Sequence, residues 1–303
     1  MTGHNQPLRI LLLGKYGQLG WELHRTLSPL GEITALDYPE IDLSNPERAR
    51  RCVQAVQPDI IVNASAYTAV DRAESEPELA AAINATTPGV LAEEAVAQRA
   101  ALIHYSTDYV FDGSLNRPYT EEDLPNPLGV YGQSKLEGEQ AIQRVSGSYL
   151  ILRTSWVYSL RRDSFVTKVL SWSRQGSTLR VVTDQISNPT WARMLAETTS
   201  LLLMQAGSDN LDWFQDVTGL YHLAGSGYSS RMEWAQAILR YDPDPDGQTI
   251  REILPSITAD FPTLARRPLF SALNCDRFRR TFGLRLPDWE TALMLAMSEI
   301  KPS

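Results

Sequence analysis

LRILLLGKYGQLGWELHRTL, residues 8–27, opens with six largely apolar residues, turns through Gly14, Gly17 and Gly20, and continues with helical spacing from Trp21 to Leu27. The run Leu8–Leu13 is too short for a buried helix and too apolar for a solvated strand, so it reads as a central strand. Strand, glycine turn and helix form the setting in which glycines let a backbone approach a pyrophosphate, with the helix N-terminus supplying free N–H groups. The spacing is G-x-x-G-x-x-G, and a plain strand-to-helix turn has the same local appearance. The rest of the chain has to choose between the two.

Working outward, Glu32–Leu36 reads as a second strand ending in Asp37, about twenty residues beyond the glycines, where an acidic side chain binds a ribose diol and disfavours a 2′-phosphate. Asp42, in I-D-L-S-N-P-E, is a second acidic candidate, near an adenine or simply ahead of a helix capped by Ser44 with Glu47 three residues on. That helix runs to about Val56. Asp59–Ala64 is a third strand, followed by small residues in N-A-S-A-Y-T. Glu78–Gln98 reads as one long helix with Asn84 facing solvent. Ala101–Tyr105 is a fourth strand, which places Thr107 where strand gives way to loop. Four βα units imply an α/β fold, a doubly wound parallel sheet of Rossmann type with right-handed crossovers.

The chemistry-bearing stretch runs from S-T-D-Y-V-F-D-G (Ser106–Gly113), through a Pro- and Gly-bearing loop to Gly129, into Y-G-Q-S-K (Tyr131–Lys135). Residues i and i+4 share a helix face, so the Tyr131 phenol and Lys135 ammonium point into one site. A neighbouring cation favours the phenolate and suits Tyr131 to proton relay. The Thr107 hydroxyl is placed to hold the oxygen that Tyr131 protonates. Tyr and Lys four apart are commonplace on helix surfaces, so the pair gains weight only from the strand–glycine–helix context.

Tyr149–Thr154 is a fifth strand, followed by S-W-V-Y. Ser164–Arg174 and Trp191 to about Gln205 read as helices, Leu179–Val182 as a strand and Gly207–Thr218 as a polar loop. Gly219–Leu223 is a short strand, Ser230–Leu239 a helix capped by Ser229 or Ser230, and Tyr241–Gly247 a turn-rich linker. The division expected is a dinucleotide-binding domain over residues 1–155, with the strand near 219–223 returning to it, and a smaller C-terminal substrate domain over 156–303.

The chain has 303 residues, 28 Lys and Arg against 36 Asp and Glu, and a net charge of −8. With no dense basic run, nucleic acid is not an expected partner. Two scattered cysteines fit a reducing, cytoplasmic setting and exclude a disulfide framework. No apolar stretch of about 18 residues suggests a membrane span. Residues 1–7 read as a polar tail rather than a signal peptide.

These motifs together resemble the extended short-chain dehydrogenase/reductases, and within them the dTDP-4-dehydrorhamnose reductase family, over nearly the whole length. A-V-D-R-A-E, S-T-D-Y-V-F, R-T-S-W-V-Y, D-Q-I-S-N-P-T and A-R-R-P, in that order, carry the resemblance more specifically than the glycines or Y-x-x-x-K. It implies NADPH or NADH as cofactor and a dTDP-sugar as substrate, reduced at a C4 keto group. Gly17, Gln18 and Leu19 would lie on the cofactor pyrophosphate, Asp42 and Leu43 near the adenine, and Ala66, Tyr67 and Thr68 in the cofactor crevice. Thr107, Tyr131 and Lys135 would form the catalytic triad, with Lys135 also holding the nicotinamide ribose. Asp108 and Trp156 would face the sugar nucleotide, while Arg266 or Arg267 would meet its diphosphate by charge and position. Some members bridge a homodimer with Mg²⁺ held by glutamates. Glu22 matches one such position, but Arg193 stands where another glutamate is expected, and an Arg cannot ligate a cation. A sugar-nucleotide epimerase or dehydratase, a reductase of a related keto sugar, and a non-catalytic regulatory subunit of a methionine adenosyltransferase remain alternatives.

Overall fold

A computed structural model describes residues 7–207 and 210–300. The expected N-terminal tail lies almost wholly outside the described residues. Five strands come from the first half of the chain: β1 (Leu8–Leu13), β2 (Gly31–Leu36), β3 (Ile60–Asn63), β4 (Ala101–Thr107) and β5 (Tyr149–Thr154). The strand Gly219–His222 joins them outside β5, giving a six-stranded sheet in the order Gly219–His222, β5, β4, β3, β1, β2. Every pairing is parallel.

Alternation along each strand sends side chains to two covered faces, which is why the strands are apolar throughout. Ile10, Leu12, Ile60, Val62, Ile103 and Leu152 face one layer, with Leu19 and Leu23 of the first helix and Leu195 and Leu202 of the helix Ala192–Ala206. Leu11, Leu13, Ile61, Leu102 and Ile151 face the other, with Val53, Leu91 and Ile142. Burying each such Leu or Ile is worth roughly 1.5–3 kcal/mol. The register aligns Leu13 with Asn63, Asn63 with His104 and Thr107 with Thr154. The carboxyl ends of the central strands therefore form a single rim.

The later part of the chain adds a second core of Tyr158, Val166, Val169, Trp234, Ile238 and Leu293. Thr178–Val182 and Glu252–Ser256 pair in parallel at its edge. Among the described residues no helix is long and apolar enough to cross a membrane.

Two local expectations are corrected and one is refined. Glu78–Gln98 is helical throughout, but not regular: the α-helix Pro77–Ala81 passes through a π-helical segment, Ala82–Thr86, into the α-helix Thr87–Gln98. Residues 207–218 are not all loop, because Asn210–Asp216 is helical. Phe214 is fully buried there and Trp213 lies edge-on to it, so two aromatic residues anchor a segment that otherwise looks polar. Asn45, not Ser44, caps the helix Pro46–Val56, accepting from the Glu47 N–H with Pro46 at the first position. The Ser44 hydroxyl donates instead to Asp42.

Candidate active site

The glycine turn lies at the sheet rim. Gly14 has φ +89°, and a Cβ there would sit 2.8 Å from the Ser65 amide nitrogen. At Gly20 a Cβ would fall 1.8 Å from the Gly14 carbonyl oxygen, so the first helix packs onto the turn only without a side chain. Gly17 caps the helix Gln18–Leu27 without a side-chain bond, leaving its first N–H groups open. The Gln18 amide reaches across to the later part of the chain, accepting from the Ser159 N–H at 2.7 Å. Asp37 directly follows β2 and accepts from the Tyr16 N–H at 2.9 Å. Lys15 is held by Glu40 at 2.7 Å and Arg25 by Glu22 at 3.2 Å. Neither cation stands free beside Asp37.

From this turn a cleft of about 1070 Å³ runs along the rim. Gly14, Gly17, Gln18, Leu19, Asp37, Asp42 and Leu43 line one end. Ala66 and Thr68 line its middle, and Thr107, Asp108, Tyr131, Lys135 and Trp156 the other end. Gly20, Tyr67 and Arg267 are not among the lining residues. The Tyr67 phenol hydrogen-bonds Glu76. Arg267 makes a two-pronged ion pair with Asp71, at 3.2 and 2.8 Å.

Thr107 is the last residue of β4, and its side chain accepts from the Tyr109 N–H. Tyr131 and Lys135 sit in the first turns of the helix Val130–Val145. Burial pushes the Tyr131 phenol up; the nearby Thr107 hydroxyl pulls it partly back, and Asp108 and Tyr109 push it further up. The expected depression by Lys135 is absent, because its ammonium is turned to the Tyr105 carbonyl and His104. The Lys135 ammonium donates to the Tyr105 carbonyl at 2.6 Å and lies 3.3 Å from His104 Nε2. Burial brings Lys135 down to about 8, against the opposing charge of Glu139.

Sequence reasoning missed the residues that hold this pair in place. Asn84 is buried in the π-helical segment, not solvent-facing. Its Oδ1 accepts from the Tyr67 N–H at 2.8 Å, and its Nδ2 donates to the Tyr67 carbonyl and the Ser134 hydroxyl, both at 3.1 Å. One side chain thus ties the cleft wall to the Tyr131 helix. A Cβ at Gly138 would meet the Asn84 carbonyl at 2.1 Å, so the bulge and that glycine fit together. Glycine inside a helix pattern and a polar residue in an apolar run were the available signals.

At the far end Asp108 is buried, and burial raises it to about 6. It accepts from the hydroxyls of Ser187, Ser271 and Thr107. Asp108 therefore joins the rim to the C-terminal segments. Trp156 has φ +40°, unusual for a bulky residue, at a cost on the order of 1–3 kcal/mol. It stacks on Trp234 with centroids 5.4 Å apart.

The residues at the family's cation position do not fit a metal. The Arg193 guanidinium pairs with Glu22 at 3.3 Å and with Glu299, and Arg25 completes the neutralisation of buried Glu22. Among the described residues no group of three or more His, Cys, Asp or Glu is arranged to hold a metal ion.

A family model described as the RmlD substrate binding domain matches residues 8–301. The dTDP-4-dehydrorhamnose reductase of Escherichia coli K12 is 42% identical over 298 residues, covering 97% of this chain and 98% of that protein. A probable dTDP-4,6-dihydroxy-2-methyloxan-3-one 4-ketoreductase of Streptomyces antibioticus is 36% identical, covering 97% and 96%. The crystal structure of a Bacillus anthracis dTDP-4-dehydrorhamnose reductase in complex with NADP superposes with a TM-score of 0.88 at 32% identity, covering 97% of this chain and 100% of that one. With a Rossmann-type sheet, a rim cleft and full-length matches of this kind, the chain belongs to the dTDP-4-dehydrorhamnose reductase family.

Proposed function

We propose that this protein reduces the C4 keto group of dTDP-4-dehydro-β-L-rhamnose to give dTDP-L-rhamnose, with NADH or NADPH as reductant. The observation that carries the reading is one cleft joining the Gly14 turn to Thr107, Tyr131 and Lys135. When bound, the reduced nicotinamide supplies the hydride. Tyr131 gives its proton to the oxygen forming at C4. A phenol held up by burial is in the protonated form that a reduction consumes. Thr107, at the same end of the cleft as that phenol, holds the same oxygen. Gly14, Gly17, Gln18, Leu19 and the open helix end receive the pyrophosphate, Asp42 and Leu43 the adenine side, and Ala66 and Thr68 the middle of the cofactor. Arg193, paired with Glu22, leaves a cation-bridged dimer outside this reading, and we read the reaction as cytoplasmic, in keeping with the two scattered cysteines.

Lys135 supplies positive charge below its pKa and loses it above. Since burial sets that value near 8, kcat/KM for the keto sugar is expected to be level from pH 6 to about 7 and to fall as pH rises through about 8. The residual activity of Lys135→Arg should lack this limb, because a guanidinium keeps its proton. A limb at the same pH in that variant assigns the titration to another group.

Asp37 takes the adenosine ribose diol in this reading. Asp37→Ser is expected to move the ratio of kcat/KM values roughly tenfold towards NADPH, about 1.4 kcal/mol. An unchanged ratio removes Asp37 from cofactor choice.

The test of the activity is loss of reduced nicotinamide absorbance with keto sugar made enzymatically from dTDP-glucose, with the product identified by chromatography and NMR. Formation of dTDP-L-rhamnose supports the reading. A C4 epimer or a different 6-deoxy sugar favours the related 4-ketoreduction suggested by the Streptomyces relative. Saturable cofactor binding without turnover, with a transferase co-purifying, favours the regulatory subunit.

A further inference from the structure

Arg231 is a cation in the cleft that the triad does not use. It is the first residue of the helix Arg231–Arg240, entered through a Ser230–Glu233 capping box. Its guanidinium lies 3.6 Å over the Trp156 ring, 4.7 Å from the Phe165 centroid and 5.3 Å from that of Trp234. Three aromatic rings thus hold its flat faces, which fixes the orientation of a side chain that is otherwise among the most flexible. Among the described residues no carboxylate lies within ion-pair distance of it. Asp108 is near enough to act on it through space, but the Asp108 oxygens are taken by Ser187, Ser271 and Thr107. Arg267, the cation expected for this task from sequence, is neutralised by Asp71. A half-buried, oriented guanidinium with no carboxylate partner, on a cleft wall, offers its charge to an anionic ligand.

We propose that Arg231 is the anion-reading residue of the substrate half of the cleft, binding the diphosphate of the sugar nucleotide through its N–H edge. This deepens the function proposed above and rests on it. Trp156 gains a reason for its left-handed backbone, since that conformation brings the indole beneath the guanidinium. Burial lowers Arg231 to about 10, so it remains cationic at neutral pH.

The first experiment uses the wild-type protein and free nucleotides, so it does not depend on turnover. dTDP is expected to quench Trp fluorescence, through Trp156 and Trp234, and to protect Arg231 from phenylglyoxal as mapped by mass spectrometry. Thymidine at the same concentration should not protect. Arg231→Met keeps an apolar stem among the rings and should weaken dTDP at least tenfold. The same variant should raise KM for the keto sugar at least tenfold, with KM for the reduced nicotinamide within about twofold. Arg231→Lys should recover part of the loss. Equal labelling of Arg231 with and without dTDP overturns the proposal, as does unchanged dTDP affinity in a folded Arg231→Met. If Arg231→Met does not fold, the labelling result alone decides. If wild-type protein turns over no dTDP-keto sugar while UDP protects Arg231 as well as dTDP does, the assigned reaction fails and the diphosphate site stands.

Discussion

Tyr131→Phe is expected to lower kcat on the order of 10²–10⁴-fold, about 2.7–5.5 kcal/mol of transition-state stabilisation, with cofactor affinity within about twofold of wild type. The change removes one oxygen and keeps the ring. That ring packs edge-on against Tyr109, with centroids 5.7 Å apart at 77°, a contact the phenylalanine preserves. What disappears is the only group on this helix turn able to give a proton to an oxygen held at Thr107. The hydroxyl lies close enough to Thr107 to be acted on by it, and both line the same end of the cleft, so donor and orienting group face one site before substrate arrives. Single-turnover reduction separates chemistry from product release, and fluorescence of the bound reduced nicotinamide reports its affinity. Turnover equal to wild type would remove Tyr131 from the reaction. A loss shared equally between kcat and cofactor affinity would make it a packing residue of the cleft. Thr107→Val serves as the companion, expected to cost less because it removes an orienting hydrogen bond and leaves the proton donor.

The sheet was legible because its strands are short, apolar and punctuated by glycine, acidic or small residues at their carboxyl ends. Thr107, Tyr131, Lys135 and the glycine turn were legible for the same reason: rim positions follow once the strands are placed. Asn84 was not. A polar residue inside a helix is ordinarily solvated, and only the π-helical bulge turns it inward to the Tyr67 backbone and Ser134. The helix Asn210–Asp216 was hidden by its polar majority, since Phe214 is buried in a core to which Phe282, packed on Trp213, comes from far along the chain. Arg231 was hidden differently. Its sequence context is an ordinary helix start, and its cage is built from Trp156, Phe165 and Trp234, which only the fold brings together. Arg267 shows the reverse failure: charge and motif pointed at the ligand, and Asp71 had already claimed the charge. Local pattern locates backbone; it does not say which charges are spoken for.

Arg153→Met is expected to be the most damaging change to stability, costing about 3–5 kcal/mol and lowering Tm by roughly 6–20 °C. Arg153 on β5 and Glu139 on the Tyr131 helix are 4% and 1% exposed. They meet through two hydrogen bonds, Nε to Oε1 at 2.9 Å and Nη2 to Oε2 at 2.6 Å. The Ser106 hydroxyl also donates to Glu139. Met fills much of the volume, so the loss comes from a carboxylate left buried without its cation. The double variant Arg153→Met/Glu139→Gln should recover most of the stability, because the uncompensated charge is gone. It should not recover the pH profile. Glu139 raises the Lys135 pKa against burial, so without it Lys135 loses its proton at lower pH, and the alkaline limb of kcat/KM should move down with it. Thermal unfolding of the single and double variants, read beside their pH profiles, separates the two roles. If the double variant stays as unstable as Arg153→Met, the pair's contribution is packing of the guanidinium rather than charge. If stability returns and the limb does not move, Glu139 anchors the helix without tuning its lysine.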